Sequence, residues 1–170
     1  RYATLDVVRA LADAGRDDIA LYTGNDDAIV PDLVTDVPVT SGGRAYSRHF
    51  VGGLLGQWAV WTSRAVEMLR EIQAWRTSGA DTMPREWLTR GAALTMANAV
   101  IFDAAHGYQG CLPGILEMLR LQGLVRGTWT FDTYEQLSPG QGEALARLSE
   151  QFPELSDDDF VAERLDEFLA

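Results

Sequence analysis

Two short apolar runs, each interrupted by glycine and followed by a helical pattern, constrain the fold of this 170-residue chain more than any other feature. Ile19-Ala20-Leu21-Tyr22-Thr23 stops at Gly24-Asn25-Asp26-Asp27. Phe50-Val51-Gly52-Gly53-Leu54-Leu55-Gly56 leads into a long helical stretch. Runs without polar alternation fit strands buried on both faces, as in a parallel sheet. Glycines at the second strand's end let another backbone or a ligand come close.

The remaining elements read as helices. Leu5 to Ala14 is amphipathic, with Leu5, Val8 and Leu11 on one face and Gly15 as its stop. Ala28 to Leu33 turns as a short helix, and Thr35 to Arg48, with two Pro, two Gly and several Ser and Thr, reads as a loop. Trp58, Trp61, Ala65, Met68, Leu69, Ile72 and Trp75 recur at helical spacing up to Gly79. Further helices are expected from Arg85 to Ala105 and from Pro113 to Gly123. Ser138-Pro139-Gly140-Gln141 has the order of a capping box. Asp157, Asp158 and Asp159 open a last helix whose expected buried stripe is Phe160, Val161, Leu165, Phe168 and Leu169. Two parallel strands among about six helices leave apolar faces and strand edges uncovered, so further strands are expected upstream of Arg1 or in another chain.

Composition narrows the function. With 46% hydrophobic and 23% charged residues, a packed core is accessible. The net charge of −11 opposes a general nucleic-acid or anionic-membrane binder, which needs a basic face. No apolar run approaches the roughly 20 residues of a membrane span. A lone cysteine, Cys111, excludes an internal disulfide framework and, with no leader pattern visible, makes the cytoplasm the expected location. All 14 basic residues are Arg, so no lysine chemistry originates within these residues.

Three constellations could carry chemistry. Tyr22, Gly24, Asn25 and Asp26 stand at a strand's carboxyl end, where parallel β/α proteins meet their ligands; spacing alone favours an ordinary turn and helix cap. Gly52 and Gly53 could expose backbone N–H groups to a carboxylate or phosphate, although a lone Gly-rich turn marks close packing more often than a ligand site. No dinucleotide or P-loop spacing is present, and no cofactor is expected. Asp103 and His106, in a glycine-rich break beside Tyr108, could form an acid/base pair, or simply end a helix. Two such residues are too few for a metal site, and Arg48 beside His49 disfavours a cation there, so none is expected.

Leu21 to Asp27, Phe50 to Gly56 and the helix that follows resemble the last two strand–helix units of the dihydrodipicolinate synthase / N-acetylneuraminate lyase family. The segments Gly52-Gly53-Leu54-Leu55-Gly56-Gln57-Trp58-Ala59-Val60-Trp61-Thr62 and Phe102-Asp103-Ala104-Ala105-His106-Gly107 resemble one poorly characterised branch of it. The resemblance implies an α/β fold: strands seven and eight of a (β/α)8 TIM barrel within residues 1–79, and a helical C-terminal extension over 80–170. It also implies a lyase, aldolase or dehydratase that forms a Schiff base with a 2-oxo acid or sugar-derived acid. The lysine is then expected just before Arg1, in an upstream barrel segment of the same or another chain. Tyr22, Gly24, Asn25 and Asp26 would contact substrate, Gly52 and Gly53 would lie beside the Schiff base, and a homo-oligomer would form. The alternatives are a barrel that binds a small ligand without chemistry, or a helical oligomerisation subunit.

Overall fold

A computed structural model describes residues 2–170. The chain opens with α1 (Tyr2–Asp13), followed by the three-residue strand β1 (Leu21–Thr23). A 3₁₀ turn and α2 (Ile29–Val34) lead into β2 (Asp36–Ser41) and β3 (Arg44–Gly53). Six further helices follow: α3 (Thr62–Ser78), α4 (Glu86–Ile101), α5 (Cys111–Leu121), α6 (Gln141–Leu145), α7 (Leu148–Gln151) and α8 (Asp158–Phe168).

The three strands form one mixed sheet in the order β1-β3-β2. β1 runs parallel to the end of β3, with Tyr22 opposite Gly52 and Thr23 opposite Gly53. β2 pairs antiparallel with the start of β3, from Asp36 opposite His49 to Ser41 opposite Arg44. The expected pair of barrel strands is thereby corrected. Among the described residues there are three strands, one pair of them a hairpin, and an all-parallel closed cylinder does not use such a sheet.

The segment expected as a loop, Thr35 to Arg48, supplies the extra strand. Its turn is Gly42-Gly43, both at positive φ (54° and 77°), as a tight two-residue hairpin requires. Pro38 is tolerated because β2 lies at the sheet edge, where its missing N–H costs no ladder bond. Val39 is buried against Val8 and Ala12 of α1, with Leu21, Val37 and Tyr46 packed around them. Arg48 ties the strand to the turn after α1, donating to the Arg16 carbonyl at 2.9 Å and also to that of Ile19.

The main core lies among the helices. Ile29, Val30 and Leu33 of α2 meet Met68 and Ile72 of α3 and Leu94, Ala97 and Ile101 of α4, and the cluster continues to Met118, Leu145, Leu148 and Leu155. It is therefore continuous across residue 80. Trp75 and Trp87 cross edge to face at 5.5 Å, and the Trp75 indole donates to the Thr82 carbonyl at 2.8 Å, fixing the α3–α4 corner. A Cβ on Gly114 would fall 2.0 Å from the Ile101 carbonyl, so α5 reaches the end of α4 only through glycine.

Several local expectations change. Trp58 lies in a 3₁₀ turn and Trp61 just before α3, so of the three tryptophans only Trp75 belongs to the helix. On α8 only Val161 is buried, while Phe160, Phe168 and Leu169 are exposed. Leu5 on α1 is also exposed. Asp157 caps a different helix from the one expected: its carboxylate accepts from the Ser63 N–H at the start of α3 (2.9 Å) and from Gln122 (2.7 Å). No helix among the described residues is long and apolar enough to cross a membrane.

Candidate functional site

The parallel β1–β3 pair opens onto a cleft of about 630 Å³. Tyr22, Thr23, Gly24 and Asn25 line it from the end of β1, Asp32 and Thr35 from α2 and its exit, and Phe50 from β3. Alternation along β1 turns the Tyr22 ring outward and the Thr23 hydroxyl inward, where it donates to Asp32 Oδ2 at 2.7 Å. Thr23 Oγ1 also accepts from the Asn25 N–H at 3.1 Å, which holds the turn after β1 in place. Among the described residues the lining carries acceptors, hydroxyls and two aromatic rings, and no basic side chain.

The predicted residues divide here. Tyr22, Gly24 and Asn25 line the cleft; Asp26, Gly52 and Gly53 do not. Asp26 is a staple: its carboxylate accepts from the Gln57 N–H and its carbonyl from Asn98 Nδ2, each at 3.0 Å. Gly52 is a seat for Tyr22, since a Cβ there would lie 3.0 Å from the ring's Cε1. At Gly53 the space is filled by Leu55 and Trp58, with a Cβ 2.6 Å from Leu55 Cδ1. Both glycines thus serve close packing. Thr23, Asp32 and Asp36 are among the polar lining residues that sequence reasoning did not name as site residues. The one available signal was a polar residue closing an apolar strand, with a carboxylate on the next helix.

Asp103 and His106 come together, with His106 Nδ1 2.6 Å from Asp103 Oδ1. Asp103 is buried and left-handed (φ 58°), and its other oxygen accepts from the Gly110 N–H at 2.9 Å and from Ser138 Oγ at 2.6 Å. Burial raises the Asp103 carboxyl, but the hydrogen bonds from Ser138, His106 and Gly110 outweigh it and hold the group below its ordinary range. The carboxylate at that position orients the His106 ring through Nδ1. Only half of the expected capping box forms. Gln141 Oε1 accepts from the Ser138 N–H at 3.0 Å, but the Ser138 hydroxyl is committed to Asp103. Gln141 Nε2 bridges to the Val100 and Gly110 carbonyls at 3.2 and 3.1 Å, closing the ends of α4, α5 and α6 on one another.

Cys111, nearby, is half-buried. Burial first, then the fields of Asp26, Glu135 and Asp103, push its thiol up, so it stays protonated at neutral pH. Among the described residues no group of three or more His, Cys, Asp or Glu could hold a metal ion. No family model matches the chain, and no curated protein or solved structure is significantly similar to it.

Proposed function

We propose that the cleft beside β1 and β3 positions a hydroxylated 2-oxo acid or sugar-derived acid, in a lyase or aldolase whose condensing lysine lies outside these 170 residues. The observation that carries this reading is the pairing of Tyr22 with Gly52 across parallel strands, which sets an aromatic wall and the Thr23–Asp32 pair at the mouth of one cleft. In the proposed reaction the external amine condenses with the substrate ketone and loses water. The resulting iminium accepts the electron pair when a carbon–carbon bond breaks, or, for loss of water, the pair of the α carbon–hydrogen bond, after which the enamine expels the hydroxyl with its own pair. The residues of this chain bind and orient. Asp32 and Asn25 suit substrate hydroxyls, Asp36 being paired with Arg76 at 3.0 Å, and a lining without basic groups among the described residues suits the polyol end of the substrate, with the acid end held elsewhere.

Calorimetric titration tests the binding half of this reading. A polyhydroxylated 2-oxo acid is expected to bind more tightly than pyruvate, and Asp32→Asn to weaken it about tenfold, equivalent to about 1.4 kcal/mol. Equal affinity for the two acids, indifferent to Asp32, would count against it. A second reading, a ligand-binding unit without chemistry, is favoured by one fact: no lysine occurs in the 170 residues. It predicts the same titration without any covalent adduct.

A further inference from the structure

Helix α4 carries an apolar face that no other described residue covers. Its buried side holds Trp87, Ala93, Leu94, Ala97 and Ile101. At about 3.6 residues per turn, Leu88, Ala92, Met96 and Ala99 fall on the opposite side, within about 100° of one another. All four are exposed, Leu88 at 52% and Met96 at 55%.

This stripe runs about three turns without a charge. The two charged residues of α4, Glu86 and Arg90, stand off it, and Arg90 is taken by Glu71 at 2.8 Å. In a chain of net charge −11 such a face is exceptional: the outward sides of α1, α3 and α8 all carry ion pairs, Asp6 with Arg9, Arg64 with Glu67 and Glu163 with Arg164. A helix that is apolar all round is one that folding or association buries.

The order of sizes identifies the occupant. Along the stripe the side chains alternate large, small, large, small. A second copy laid antiparallel across a two-fold axis presents the same order reversed. Leu88 then meets the partner's Ala99 and Ala92 meets the partner's Met96, and both contacts recur on the other side of the axis. Charge agrees with this register. Arg85 lies in line with the stripe, one residue before α4, and has no ion pair among the described residues. In the antiparallel arrangement it reaches the carboxyl end of the partner's α4, the negative pole of that helix. No carboxylate stands on the stripe, so two copies of an acidic chain approach there without like charges meeting. We propose that α4 is the interface of a two-fold homodimer, paired antiparallel through Leu88, Ala92, Met96 and Ala99. One helix pair buries less than the roughly 1,600 Å² of a standard interface, so the dimer dissociates on dilution. The proposal does not rest on the lyase reading.

Light scattering on the full-length protein over a concentration series tests it, with Ala92→Glu and Met96→Arg as variants. Both sites face solvent in a single copy, so both variants are expected to keep the wild-type circular-dichroism spectrum. Wild type is expected to rise from one copy to two. Each variant alone is expected to associate about tenfold more weakly or worse, because its charge meets an apolar side chain in both symmetric contacts. An equimolar mixture of the two is expected to recover the wild-type mass, since the new carboxylate faces the new guanidinium in one contact and Ala92 faces Met96 in the other. A wild type that stays monomeric up to about 1 mM, single variants that dimerise like wild type, or a mixture no tighter than its components would each overturn the proposal.

Discussion

The Tyr22 ring occupies the space where a side chain on Gly52 would stand, its Cε1 3.0 Å from the position of a Cβ there. The parallel register brings this about by setting the two residues opposite each other. It follows that the first cleft wall depends on an atom the sequence leaves out. Gly52→Ala is expected to push the ring aside and cost about 1–3 kcal/mol by overpacking. Chemical denaturation measures the loss. Tyr22→Ala in the same chain should relieve most of it, and additive losses would show that the two residues do not share that space.

Asp103 gives a prediction about acid. Its carboxyl lies below the ordinary value in the folded chain, so the stabilisation it provides is complete above its unfolded value, about pH 4. It is lost as pH falls through the lower folded value. Asp103→Asn should cost about 1.5–3 kcal/mol near neutrality, since a buried acceptor of charge-assisted bonds is removed. The variant's stability should also fall less steeply than wild type below pH 4. Denaturation midpoints at several pH values check both expectations.

Asp157 is expected to matter more for α3 than for α8. Its carboxylate joins the Ser63 N–H to Gln122, whereas its own helix takes no side-chain cap from it. Asp157→Ala should destabilise by about 1–3 kcal/mol, with hydrogen exchange rising first at Ser63 and its neighbours. A rise confined to residues 158–168 would contradict this assignment.

Cys111 should be a slow thiol. Burial and three carboxylates disfavour its thiolate, so at pH 7–8 its reaction with a disulfide reagent is expected to lag well behind that of free glutathione and to accelerate only in alkali. A thiol faster than glutathione at neutral pH would contradict the placement of Asp26, Asp103 and Glu135 around it.

These residues also show what the sequence could reveal. Of the parallel pair, β1 and the end of β3 from Phe50 were legible as short apolar runs, whereas the start of β3 read as loop, and the proximity of Asp103 to His106 followed from their spacing at a helix end. The hairpin was hidden because Pro38, Gly42 and Gly43 read as loop composition, while the alternating Val37, Val39 and Tyr46 that pack against α1 went unweighted. Trp58 and Trp61 share helical spacing with Ala65 and Met68, and no local rule foretells that Trp61 turns left-handed and delays the helix. The bond from Ser138 to Asp103 joins residues 35 apart in sequence, beyond any local pattern. The glycines at 52 and 53 were identified as places of close approach. What approaches them is this chain's own Tyr22, Leu55 and Trp58.

The most direct measurement of the proposed chemistry is mass spectrometry after borohydride reduction of the natural protein, together with any companion segment or chain, in the presence of pyruvate and of a polyhydroxylated 2-oxo acid. The proposed function predicts a reduced adduct on a lysine outside these 170 residues, formed more completely with the hydroxylated acid and diminished by Asp32→Asn. Intact protein with no adduct from either acid, while the cleft still binds the hydroxylated one, would contradict the lyase reading and leave a binding unit in its place.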